Sequence, residues 1–83
     1  MDNGDPIQAQ RAEAHELGYR LIVREAINAT PPSTHLAEAY PLTHSGAAAG
    51  RPLAYGTSVV DAADAGLLVL RAIEDGQPWP DLF

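Results

Sequence analysis

Three histidines, a scatter of carboxylates and a few hydroxyls are the residues of this chain that could do chemistry. His15, His35 and His44 show no i, i+4 spacing, the arrangement that aims two imidazoles at one metal from a helix face, and the chain has no cysteine. The expectation is therefore no metal site and no cofactor, with the imidazoles making ordinary hydrogen bonds. Any two of Glu13, Glu16, Glu25 and Glu38 could serve as a general acid and base, but every acidic chain offers such pairs. His44 and Ser45 are neighbours in sequence, whereas a nucleophile and its base are recognised by geometry in the fold. The run GAAAG at 46–50 matches GxxxG, which drives helix association only within an apolar segment of about 20 residues. A phosphate loop of the GxxxxGK[ST] type needs a lysine, and there is none. No catalytic residues are identified, and the chain reads as a non-enzyme.

The surface is more informative. Eleven Asp and Glu stand against five basic residues, all of them Arg, for a formal net charge of −6. Phosphate contacts need clustered Lys and Arg, so direct nucleic-acid binding is not expected. An acidic chain suits a basic partner surface, or solubility alone. No basic-then-apolar leader and no apolar run long enough to span a membrane are present. With the absence of cysteine, this fits a reducing cytoplasm.

The clearest element is a helix over 57–76. Ser58 is an N-cap, and Asp61 three residues on completes a capping-box-like pair. Gly76 and Pro78 stop the helix. At 100° per residue, Val59, Ala62, Ala63, Gly66, Leu67, Leu70 and Ile73 form one apolar side, with Gly66 suited to a close helix crossing. The opposite side carries Asp61, Asp64 and Asp75, with Leu68 among them. Upstream, Asp5 and Pro6 signal a helix start, and residues 8–29 read as one long helix with two apolar sides. Glu16 and Arg20 would form an ion pair on it. The alternative ends that helix at Gly18 and makes YRLIVREAI a strand. Residues 28–34 are a breaker loop, and residues 35–40 read as one or two helical turns. The path of 42–56 is the least legible, with residues 52–55 an extended candidate. Trp79, Leu82 and Phe83 either fold back as a lid or dock on a partner.

The expectation is one mainly α domain over 1–83, its long N-terminal helix packed on the 57–76 helix. The alternative is α+β, with strands near 19–27 and 52–56. Functionally the chain reads as a small acidic protein-binding inhibitor that covers a basic, nucleic-acid-binding surface. Its sharpest form is an anti-CRISPR-type protein from a phage or mobile element. Asp61, Asp64 and Asp75 would supply charge, and Leu68 or Trp79 the anchor. The alternative is a self-associating structural or regulatory subunit, a homodimer through the two-sided N-terminal helix.

Overall fold

The computed structural model describes residues 5–42 and 50–80. The readings made for the start of the chain, for His44, Ser45 and the alanine run before Gly50, and for Leu82 and Phe83 lie outside these residues. The elements run α1 (Gln8–Glu16), β1 (Tyr19–Glu25), β2 (His35–Pro41), β3 (Arg51–Gly56) and α2 (Val59–Glu74). The strands form one antiparallel sheet in the order β1-β2-β3. The helices lie against one of its faces.

This is α+β, and it overturns the expectation of a mainly α domain with a long N-terminal helix. The physical reason begins at Gly18, which adopts φ +96°, a left-handed conformation open to glycine and strained for other residues. It stops α1 after Glu16, so the i, i+4 pair of Glu16 with Arg20 does not form. Beyond it, period two replaces period 3.6. Tyr19, Leu21 and Val23 turn to the helices, while Arg20, Ile22 and Arg24 turn to the other face. The two apolar sides read for a helix over 8–29 are therefore the two faces of a strand, and the helical dimer surface inferred from them is absent. His35–Pro41 is a second correction. Leu36, Ala37 and Ala39 favour helix in isolation, yet they form the central strand, with Ala37 and Ala39 buried on the helix side and Leu36 buried on the outer face between Arg24 and Tyr55. Tertiary burial overrides local preference there.

The last helix begins and ends as read. The Ser58 hydroxyl accepts from the Asp61 N–H at 3.1 Å, and Gly76 takes φ +101° just past the C-cap, Asp75. Ala62, Ala63, Gly66, Leu67 and Leu70 are buried, as the helical spacing predicts. Their partner is the sheet rather than a second long helix, and α2 contacts all three strands. At Gly66 the helix comes so close that a Cβ there would lie 2.7 Å from the Ala37 Cβ and 3.3 Å from the Leu53 Cδ1. The close crossing expected at this glycine exists, but against β2 and β3. A second tight contact sits at Gly56, where a Cβ would lie 2.3 Å from the backbone nitrogen of Ala62.

The fully buried large side chains are Ile7, Leu21, Leu36, Leu53 and Leu70. Ile7 precedes α1, where its N–H donates to the Asp5 carboxylate at 3.2 Å. Asp5 thus acts one step ahead of the helix it was expected to cap. Trp79 closes one end of the core. Its ring meets Tyr19 edge-on at 5.7 Å, and the Arg51 guanidinium lies 4.7 Å from its centroid. For Trp79 the folded-back arrangement is the one present.

Candidate functional site

The residues singled out from sequence fall into three groups. Asp61 stays at the surface, but its carboxylate is engaged locally. Oδ2 accepts from the Thr57 N–H at 2.8 Å and from the Thr57 hydroxyl at 3.2 Å, closing the start of α2. Trp79 is held by Tyr19 and Arg51 in the fold's own packing. Asp64, Leu68 and Asp75 share the outer side of α2 and belong to one surface.

That surface is a shallow groove where α1 and α2 run side by side. It encloses about 410 Å³ and is lined by Ala9, Gln10, Glu13, Asp64, Leu68 and Arg71 among others. Two polar bridges fix its walls. Gln10 donates its amide N–H to Asp64 Oδ1 at 2.8 Å, and the Arg71 guanidinium grips the Glu13 carboxylate, with Nε at 2.6 Å. Both are exposed, so each contributes little to stability, but they set the spacing of the helices. Leu68 is 62% exposed between them, and Val60 is 40% exposed two turns earlier on the same stripe. The helical layer carries Glu13, Glu16, Asp61, Asp64, Glu74 and Asp75 against Arg11 and Arg71. Its outer surface is therefore strongly acidic.

Sequence reasoning missed the α1 half of this groove, because Gln10 and Glu13 look like any solvated helix residues until α2 lies beside them. It also missed Val60, although its spacing of four and eight from Asp64 and Leu68 was legible.

The outer face of the sheet has the opposite character. Arg24 and Glu38 form a two-pronged ion pair, Nε to Oε1 at 3.1 Å and Nη2 to Oε2 at 3.3 Å. The hydrogen bond and charge of Glu38 hold the Arg24 pKa above its ordinary value. The Arg20 guanidinium lies 5.9 Å from the Tyr40 ring centroid. Ile22 and Tyr55 are half-buried beside them.

His15 lies exposed on α1, and the His35 Nδ1 is 2.8 Å from the Thr34 hydroxyl. Among the described residues, no three His, Asp or Glu side chains are placed to hold a metal ion, and no helix is long and apolar enough to cross a membrane. No family model matches the chain, and no similar curated protein or solved structure was found. Function must therefore be argued from these surfaces alone.

Proposed function

We propose that the protein is a small non-catalytic binding protein that lays the outer side of α2 on a basic protein surface. The observation that carries this reading is Leu68, a large apolar side chain 62% exposed in a groove whose rim is carboxylate. An apolar anchor surrounded by charge is the form that interface hot spots take. The charge around it steers encounter and selects the partner's sign more than it adds affinity. Asp64 and Asp75 lie along one helix side, spaced so that they can meet a row of Arg or Lys. A groove that normally holds nucleic acid has that composition, and the protein would act by occupying it. Its setting would be the cytoplasm. An anti-CRISPR-type inhibitor from a phage or mobile element is one form this reading can take, and no feature of the fold selects it.

Asp61 is a poor residue with which to test this, because reversing it removes a cap worth about 0.5–2 kcal/mol. The informative variants are Leu68→Ser and the pair Asp64→Arg with Asp75→Arg. Tagged wild-type and variant proteins are used to capture partners from a lysate of the source cells at low and high salt. A basic protein held by the wild type should be lost to the charge-reversed pair at low salt and weakened by Leu68→Ser at both. Equal retention by all three proteins would remove this surface from the interface.

A further inference from the structure

The sheet has two edges, and they differ. On β3, Pro52 has no N–H to offer, and the pairing with β2 slips between Ala37 and Glu38, leaving an irregular edge. Arg51 and Trp79 also stack at its start. On β1 the seven residues Tyr19–Glu25 pair with β2 without interruption and contain no proline or glycine. The direction of the free backbone groups follows from the register. Ala26 N–H donates to the Thr34 oxygen, and Leu42 N–H to the Gly18 oxygen, so the even-numbered residues of β1 address β2. Tyr19, Leu21, Val23 and Glu25 therefore aim their N–H and C=O groups outward, away from the sheet. Beside this edge runs a cleft of about 320 Å³ lined by Arg11, His15, Tyr19, Arg20, Leu21 and Ile22.

Arginines gather along this edge, with Glu25 at its end. Arg11, Arg20 and Arg24 stand there, three of the five basic residues of an acidic chain. Arg24 is paired with Glu38, and Arg11 has a loose contact with Asp5 at 3.8 Å. Arg20 makes no ion pair among the described residues and rests over Tyr40.

We infer that the β1 edge is a docking site for an extended acidic segment of another protein, which adds a fourth strand to the sheet. Main-chain hydrogen bonds to Tyr19, Leu21 and Val23 supply the pairing, carboxylates spaced two residues apart share the outer face of the added strand with Arg20, and Arg11 in the cleft on the helix side adds to the positive potential. A second copy of this chain is the weaker occupant. Outward-facing residues must oppose one another, so the antiparallel register that pairs all seven β1 residues sets Arg20 against Arg24 of the copy at both ends. This site differs from the α2 groove in place and in sign, so each stands or falls without the other.

The test uses the full-length protein labelled with ¹⁵N and an alternating valine–glutamate octapeptide. The same peptide with its central valine replaced by proline and an alternating valine–lysine octapeptide are the controls. At low salt the acidic peptide should slow hydrogen exchange at the Tyr19, Leu21 and Val23 amides by about tenfold or more, leaving Leu68 and its neighbours unchanged. Arg20→Glu should weaken binding by about tenfold, the scale of one charge-assisted contact. Arg11→Glu is a second reversal, at a site remote from Tyr40. Failure of the acidic peptide to bind overturns the inference, as does equal binding of either control peptide. Protection of the same amides by raising protein concentration alone also overturns it, because the occupant is then a second copy.

Discussion

Replacing Gly66 by Ala is the sharpest test of how α2 meets the sheet. In an ordinary helix the change stabilises by about 1 kcal/mol, because glycine is the poorer helix former. Here the new methyl would stand 2.7 Å from the Ala37 Cβ. Carbon atoms pack at about 3.5 Å, so the shortfall is roughly 3.5 − 2.7, or about 0.8 Å. Ala37 has no rotamer to change, and its strand is held on both sides. The nearby Leu53 Cδ1, at 3.3 Å, can turn away, but Ala37 cannot. The helix must lift from the sheet, and overpacking of this kind costs about 1–3 kcal/mol. Against the helix gain, the expected net loss is about 1 kcal/mol, or about 4–8 °C in Tm for a domain of this size. The decisive measurement is a double-mutant cycle by thermal and urea denaturation. In an Ala37→Gly background the obstacle is gone, so Gly66→Ala should change sign and stabilise by about 1 kcal/mol. A rise in Tm for Gly66→Ala alone would refute the close contact and the placement of α2 over the central strand. Equal effects in both backgrounds would do the same.

Other substitutions report on the remaining joints. Gly56→Ala should be more damaging than Gly66→Ala, about 3 kcal/mol or more, because the added Cβ meets the α2 backbone at Ala62, which no side-chain movement relieves; urea titration would show it, and a near-neutral result would contradict the tight β3–α2 turn. Ser58→Ala should cost about 1 kcal/mol with an unchanged denaturant slope, as expected for a lost N-cap. Trp79→Ala should cost about 1–2 kcal/mol and flatten the near-ultraviolet circular dichroism, because the ring meets Tyr19 edge-on and lies under the Arg51 guanidinium. Retention of that signal would mean that the tail does not return to the core. Leu68→Ser should leave stability within about 0.5 kcal/mol of wild type, as for an exposed position with no packing role.

The helix at Val59–Glu74 was legible because every signal for it is local: Ser58 and Asp61 at its start, Gly76 at its end and one apolar stripe between. The sheet was not, and the reason differs by strand. YRLIVRE supports both periods, since Ile22 follows Leu21 and puts apolar residues on both sides of either element; only the conformation of Gly18 decides. In β2, Leu36, Ala37 and Ala39 carry a helical preference that the two flanking strands overrule, and those partners are more than ten residues away in each direction. The apolar stripe of α2 was read correctly while its partner was misassigned, because a buried stripe specifies that it is covered and not by what. The acidic α2 residues are visible for the same local reason; of the two roles the sequence offers Asp61, helix-start partner and surface charge, its carboxylate fills the first by accepting from Thr57. The basic, unpaired edge of β1 could not be seen at all until β1 was known to be a strand.

The element that lies across all three strands is also the last of the five. While a ribosome is still producing Val59–Glu74, the apolar side of the sheet, with Leu21, Ala37 and Leu53 upon it, has only α1 against β1 to shelter it. Vectorial folding strand by strand therefore gains little, and the chain should acquire its structure in one concerted event once α2 leaves the exit tunnel. Nascent chains arrested before that point should be bound by chaperones and cut readily by proteases, and those arrested well beyond it should resist both.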